Sequence, residues 1–245
     1  MAREADYRAN ALVRGLAILQ GFTPRQPELT LSEIAAGQGI TSSAAYRVVV
    51  TLEQEGYLAR QGNRYRLAAR VMDLGYRYLG SLDVWDLARA PAEALRNATG
   101  FTVHVAVLQG TEAVYIHRAL SERAMVSNVP VGSRLPACQT TMGRVLLCDL
   151  PGAELDARFA GYAFGPAPDS LATLKAWLAK DRARGHVAQA SDLAPGTFAI
   201  AAPIRSRQGR HVAAINLSGH VSQLGAEPAL VAQVRAAADQ ISGLL

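Results

Sequence analysis

Ser42, Ser43, Tyr46 and Arg47 fall within two turns of one another if their segment is helical, with Thr41 just before them, and Asn63 and Arg64 follow at a turn. These side chains are donors of two kinds. Short hydroxyls at a helix start hold phosphate and set register, whereas a guanidinium forks onto O6 and N7 of guanine. Arg47 is the candidate for that base contact, and Asn63 with Arg64 is suited to a backbone or minor-groove contact. An isolated arginine is usually a solvated charge, so the reading depends on the elements that carry these groups.

Those elements are legible between Asn10 and Leu67. Leu12, Leu16, Leu19 and Phe22 recur at helical spacing, and the loop Thr23–Leu29, with Pro24 and Pro27, ends that helix. Thr30 with Glu33 matches a capping box, so a second helix begins near Leu31, with Leu31, Ile34 and Ala35 on its apolar face. Gly39 supplies a turn residue tolerant of positive φ. Thr41 is a natural N-cap for a third helix, which runs to about Glu55, where Gly56 stops it. Ala45, Val48, Val49 and Leu52 follow the i, i+3, i+4, i+7 pattern and must face inward, which turns Ser43, Tyr46 and Arg47 outward. Tyr57–Gln61 and Arg64–Leu67 read as strands joined by Gly62-Asn63, a two-residue hairpin signal. The layout is a winged helix-turn-helix, which lays one helix in the major groove of a double-stranded DNA operator.

This device fills under a third of the chain. Arg70–Leu79 reads as a helix and, after Gly80-Ser81, Val84–Asn97 as another. Strands are expected at Phe101–Leu108, Ala113–Ala119, Ala124–Val129, Val187–Ala190, Phe198–Ile204 and Val212–Leu217. Helices are expected at Thr141–Cys148, Ala153–Phe159, Ser170–Arg184 and Pro228–Leu244. Tight turns at Gln109-Gly110 and Gln208-Gly209 imply antiparallel pairing, so the fold class is α+β, with an antiparallel sheet packed by helices. The expected organisation is a DNA-binding domain over 8–68, a linker helix over 69–83 and a second domain over 84–245.

Composition excludes several classes. Half of the 245 residues are hydrophobic and 18% are charged, which suits a globular protein with ample core. The net charge is +5 and all of the 25 basic residues except Lys175 and Lys180 are arginine, a bias that a GC-rich genome also produces. Cys138 and Cys148 are the only cysteines and form neither a disulfide framework nor a zinc site. His104, His117, His186, His211 and His220 form no H-x-x-x-H pair, so no metal site is expected. There is no P-loop, G-x-G-x-x-G or G-x-S-x-G, so no cofactor and no hydrolase elbow are expected. The N-terminus lacks an apolar h-region and no apolar run reaches about 18 residues, so a cytoplasmic protein without a membrane span is expected.

The chain resembles the IclR-type transcriptional regulators over nearly its whole length, about Ala11 to Leu244. The likeness rests on Val13–Leu19 with the helix-turn-helix through Tyr57, on Val131–Pro136 continuing to Met142–Leu147, and on Pro195–Ile204 followed by Ala213–Ser218. Met72–Leu79 and Arg134–Arg144 are similar to the branch that regulates aromatic-acid catabolism, the PcaU and PobR type. The resemblance implies a GAF-like effector-binding domain, dimers made through the DNA-binding part, which in the family often associate into tetramers, and a small organic acid as effector. Carried over by position, it implies a pocket lined by Ala124, Ser127, Leu135, Thr141, Met142, Gln189, Thr197, Ala199, Asn216 and Ser218. Thr141 would start a helix whose N–H groups suit a carboxylate, Asn216 and Ser218 share a strand face, and Arg134 would add charge at the mouth. Ala199 stands where Cys or Ser is common, and Gln189-Ala190 where an acidic residue is. Fewer polar groups point to a more apolar, aromatic ligand. Two rival readings remain at this point: an enzyme with an appended DNA-binding domain that uses Cys138 or Cys148, and a ligand-independent DNA-binding assembly protein.

Overall fold

The computed structural model describes residues 8–121 and 129–245. They divide into two compact units, one ending at Leu79 and one running from Gly80 to Leu245.

The first unit contains α1 (Asn10–Gln20), β1 (Glu28–Thr30), α2 (Leu31–Gly37), α3 (Ser42–Gln54), β2 (Leu58–Gln61), β3 (Arg64–Leu67) and α4 (Val71–Leu79). The capping box forms: Glu33 N–H donates to Thr30 Oγ1 at 3.3 Å, and Thr30 N–H donates to Glu33 Oε2 at 2.7 Å. Gly39 turns the chain at φ +60°, and Thr41 caps α3 by accepting from Ala44 N–H at 3.3 Å. Ile18, Phe22, Leu29, Ile34, Ala35, Ala45, Val49, Leu58 and Tyr65 make one core, with Val48 and Leu52 at its edge. Leu12 and Leu16 depart from the expected stripe. Gly15 and Ile18 take the inward positions of α1, and both leucines stand exposed.

β1 was not legible in the sequence. It is three residues long and pairs with β3, Leu29 opposite Tyr65, so only a distant partner makes it a strand. It completes a sheet ordered β1-β3-β2. In the β2–β3 turn Gly62 has φ +63° and Asn63 does not share a positive φ, the signature of a type II′ hairpin.

The second unit begins with α5 (Asp83–Leu87) and α6 (Arg89–Thr99), where the sequence suggested one helix. The cause is Pro91: it has no N–H to offer the carbonyl of Leu87, so the chain breaks at Ala88 and restarts. Then follow β4 (Thr102–Gln109), β5 (Glu112–Ala119), β6 (Arg134–Pro136), a 3-10 turn at Ala137–Gln139, α7 (Thr141–Leu147), α8 (Gly152–Arg158), α9 (Leu171–Arg184), β7 (Val187–Ala190), β8 (Thr197–Arg205), β9 (His211–His220) and α10 (Pro228–Ser242). The strands form one antiparallel sheet ordered β6-β5-β4-β9-β8-β7. Most of the expected strand at 124–129 lies outside the described residues. The short edge strand β6 contains a proline and shows no alternation, so nothing in its sequence announced it.

Both faces of the sheet are buried. Ala106, Tyr115, Ala201 and Ala214 meet Met142, Val145 and Leu146 of α7 on one face. Val103, Val105, Ile200, Ile215 and Leu217 alternate with that set and are fully covered, on the side where α6 and α10 pack.

Candidate functional site

On α3 the inward residues hold the helix to the core, and Thr41, Ser42, Ser43, Tyr46 and Arg47 are all exposed. Thr41 Oγ1 also lies 3.2 Å from Ser43 Oγ, so these two hydroxyls are partly committed to the helix start. Arg47 lies beside an apolar groove of about 540 Å³ between α1 and α3, whose walls include Leu12, Gly15, Val48 and Leu52. At the wing, Asn63 sits in the exposed turn. Arg64 is turned back: Nη1 donates to the carbonyl of Glu28 at 3.3 Å and lies 3.8 Å from Glu33 Oε2. The Glu33 carboxyl is held below its ordinary range, first by the Thr30 backbone and side-chain hydrogen bonds and then by Arg64. Such an exposed pair is weak, so Arg64 can leave it for a phosphate. Arg60 and Arg66 also stand exposed on the wing. Their positions beside Tyr65 were the available signal, and Arg60 lies over that ring at 5.7 Å.

The second site is a cavity of about 170 Å³ on the sheet face that α7 covers. Leu135, Thr141, Gln189, Thr197, Ala199, Asn216 and Ser218 line it. The register explains their convergence: Gln189, Ala199 and Ser218 lie side by side across β7, β8 and β9, with Asn216 two residues from Ser218 and opposite His104. Sequence reasoning missed His104, Tyr115, Gln139, Thr140 and Ser191, and the apolar wall of Val129, Leu193 and Ala194. The alternation of β4 placed His104 on a sheet face, but only the pairing with Asn216 shows what it faces.

Two expected residues do not line the cavity. Met142 is fully buried beneath α7, packed with Tyr115 and Ala201, because its helical position points at the sheet. Arg134 belongs to the exposed edge strand, and its guanidinium donates to Glu112 Oε2 and Gln109 Oε1, each at 2.8 Å, rather than charging the mouth. Ala124 and Ser127 lie outside the described residues. At the start of α7 the cap is Thr140, whose Oγ1 accepts from Gly143 N–H at 3.0 Å. That donor of the first turn is therefore already occupied.

His104 donates its backbone N–H to Asn216 Oδ1 at 3.2 Å, and its Nδ1 lies 3.2 Å from the same oxygen. Its ring meets Tyr115 edge-on at 5.3 Å. Burial pushes its pKa down to about 4, with lesser help from Arg118 and His117, against the Asn216 hydrogen bond. Among the described residues, His104 Nε2 and Thr197 Oγ1 are buried without a hydrogen-bond partner. Behind Gln189, Arg144 donates to Gln189 Oε1 and pairs with Asp181 Oδ2, its Nε at 2.8 Å. Its guanidinium lies 4.9 Å from the centre of the Trp177 ring.

A histidine buried neutral makes folding pH-dependent. Its pKa is lower when folded than when unfolded, so the unfolded chain binds the extra proton. The stability it contributes is whole above about pH 6.5 and is lost as pH falls to about 4, a difference of about 3 kcal/mol. His117 and His211 are shifted the same way by burial and add to the slope. Denaturant midpoints measured between pH 7 and pH 4 should fall accordingly, and less steeply in His104→Phe.

Cys138 and Cys148 are both buried. Burial pushes the Cys148 thiol up to about 12, with Asp181 adding to it, and raises Cys138 as well. Neither is a thiolate near neutral pH, so neither supplies the nucleophile that the cysteine-based enzymatic reading needs. Among the described residues no group of three or more His, Cys, Asp or Glu is placed to hold a metal ion, and no helix is long and apolar enough to cross a membrane.

Comparison with known proteins agrees with this arrangement. Residues 11–62 match the IclR helix-turn-helix domain, and residues 76–243 match the family described as bacterial transcriptional regulator IclR C-terminal. The chain is 30% identical over 217 residues to the HTH-type transcriptional regulator XynR of Escherichia coli, covering 86% of each protein. It is 31% identical over 224 residues to the Pca regulon regulatory protein of Pseudomonas putida, covering 87% of this chain and 75% of that one. A solved chain from Rhodococcus sp. RHA1 superposes with a TM-score of 0.85 at 34% identity, over 96% of this chain and 98% of the other. An IclR homolog from Microbacterium hydrocarbonoxydans, solved with 4-hydroxybenzoate, gives 0.83 at 26% identity over 95% and 98%. With a winged helix-turn-helix in one unit, a cavity on an antiparallel sheet in the other and both family signatures in place, the chain belongs to the IclR family of transcriptional regulators and carries that family's effector-binding C-terminal domain.

Proposed function

We propose that a small aromatic acid, bound in the cavity on the α7 face, controls how this regulator holds its operator. The observation that carries this is the cavity itself. An apolar space of about 150 Å³ holds one benzene ring, and this one is of that size, with polar Thr141, Gln189, Asn216 and Ser218 among the residues that line it. The Pseudomonas putida relative, a Pca regulon regulatory protein, and the Microbacterium hydrocarbonoxydans structure with 4-hydroxybenzoate support the same ligand class.

The DNA end of the proposal uses the exposed face of α3 and the wing, with the hydroxyls of Thr41, Ser42 and Ser43 on phosphate and Arg47 on a guanine edge. Two copies reading a two-fold operator follow from the isologous symmetry of a dimer. Leu12, Val13 and Leu16 on α1, and Met72, Leu74, Tyr76 and Tyr78 on α4, are exposed apolar residues suited to that self-association. The residues 69–83 then act as the linker, and the acid shifts the population between two dimer arrangements for which it has unequal affinity.

Thermal unfolding with a panel of aromatic and short-chain acids tests the effector. A ligand at 100 times its Kd stabilises the native state by about 2.7 kcal/mol, so Tm must rise with an aromatic acid. A flat response across the panel refutes the assignment. For the DNA end, Arg47→Ala is expected to weaken operator binding by about 1–3 kcal/mol and relax the sequence preference. Quantitative band-shift titration of the folded variant at fixed salt checks it.

A further inference from the structure

A second cavity of the C-terminal unit lies where the last turn of α7 meets the end of α9 and the strands β7, β8 and β9. It measures about 70 Å³, room for about two waters at about 30 Å³ apiece or for one small oxyanion. Val145, Val187 and Pro203 give it an apolar wall, and Arg182, His186, Arg205 and His211 bring four basic side chains to it. Asp181 is the one carboxylate among the lining residues, and it is taken by Arg144. Neither arginine has its charge closely matched. Arg182 Nε and Nη2 donate to the carbonyl of Cys148, Nε at 2.8 Å, a neutral acceptor that leaves Nη1 over. Arg205 meets Asp239 only at 4.0 Å, on open surface, and such a pair is weak. The two histidines hold Nδ1 against backbone carbonyls, His211 against Val145 at 2.9 Å and His186 against Arg184 at 3.1 Å. A carbonyl only accepts, so Nδ1 carries a proton in each ring and Nε2 is the atom left for another partner. The arginine charges are felt at His211: burial first, with Arg205 and Arg182 adding to it, holds its pKa below 6.5, against the Val145 hydrogen bond and Asp149. Asp149 is itself paired with Arg210.

We propose that this second cavity binds a small oxyanion, a free phosphate or the phosphate group of a monoester, through Arg182 and Arg205. Cations around a partly enclosed cavity with apolar walls attract an anion more strongly than the same cations on open surface, because the local dielectric is lower. A guanidinium also matches two phosphate oxygens at once. Histidines with Nδ1 on a carbonyl would otherwise suit a divalent metal. Here the two arginines repel a cation, and the only lining carboxylate is already paired. The cavity shares no lining residue with the one on the sheet face that holds Asn216 and Ser218, so its ligand is separate from the acid proposed there and does not rest on that reading.

The test is calorimetric titration of the full chain near neutral pH with inorganic phosphate and with methyl phosphate, each against sodium chloride at the same ionic strength. Phosphate should saturate one site per chain, and chloride should not. Methyl phosphate binding as tightly as phosphate identifies the ligand as a monoester; phosphate alone binding identifies it as the free anion. Arg205→Gln removes one charge-assisted contact and only an exposed ion pair of the fold, so it should weaken phosphate by about tenfold. Arg207→Gln removes the same charge from the neighbouring exposed turn, outside the lining, and should change the affinity by less than about twofold. An anion beside the ring favours its charged form, so phosphate should also raise the His211 pKa followed by NMR, and chloride should do so less. Phosphate that behaves as chloride does overturns the site. Equal weakening in Arg205→Gln and Arg207→Gln overturns it too, since the binding would then belong to the overall positive field.

Discussion

Arg144→Met is expected to destabilise the C-terminal unit by about 3–5 kcal/mol, because it strands a buried carboxylate. Asp181 is 3% exposed and Arg144 8%. The pair is held by the Nε bond at 2.8 Å and a second bond from Nη2 to the same oxygen, with the Trp177 face on the guanidinium. The charge is desolvated at both ends, so the partner's loss weighs more than the pair's own net contribution. Replacing both, Arg144→Met with Asp181→Leu, should recover most of the loss, since a well-packed apolar pair of similar volume costs little. Urea denaturation of the two variants checks this, and a double variant as unstable as the single one refutes it.

Gly143→Ala is expected to cost about 3 kcal/mol or more, although alanine is the better helix former by about 1 kcal/mol. A Cβ there would lie 2.3 Å from both the Cα and the carbonyl oxygen of Ala137 and 2.6 Å from Thr140 Oγ1. Two of these are backbone atoms of the 3-10 turn, which cannot swing aside as a flexible side chain does. The clash therefore outweighs the gain in propensity. Gly75 in α4 is the control: nothing lies within 4 Å of its missing Cβ, so Gly75→Ala should stabilise its helix by about 0.5–1 kcal/mol. Thermal melts of the two variants should move in opposite directions. The Met142-Gly143-Arg144 run thus reads in physical terms: one residue fills the core, the next permits a close approach, and the third holds the buried pair and the cavity's amide.

Much of the fold was legible because its causes are local. The capping box at Thr30–Glu33, the turn at Gly39, the Thr41 cap and the Gly62-Asn63 hairpin are written in neighbouring residues, and each forms. The periodicity of α3 assigned its inward and outward faces, and the family resemblance located about half of the residues that line the cavity. Propensity did not reveal β1 or β6, which are strands only because a distant strand pairs with them. Nor did it place the apolar stripe of α1, where small Gly15 admits Val48 and leaves Leu12 and Leu16 outside.

The sequence by itself determined the winged helix-turn-helix, the antiparallel α+β second unit and the family, because period, caps and turns act over a few residues. Only the tertiary structure decided that His104 is among the residues lining the cavity, that it pairs with Asn216, that Arg144 pairs with Gln189, and that Met142 and Arg134 do not line the cavity. Each of those pairs residues far apart in the chain: His104 and Asn216 are 112 residues apart, Arg144 and Gln189 45. Hydrogen-bond polarity in a binding site is set by such contacts, and no local pattern encodes them.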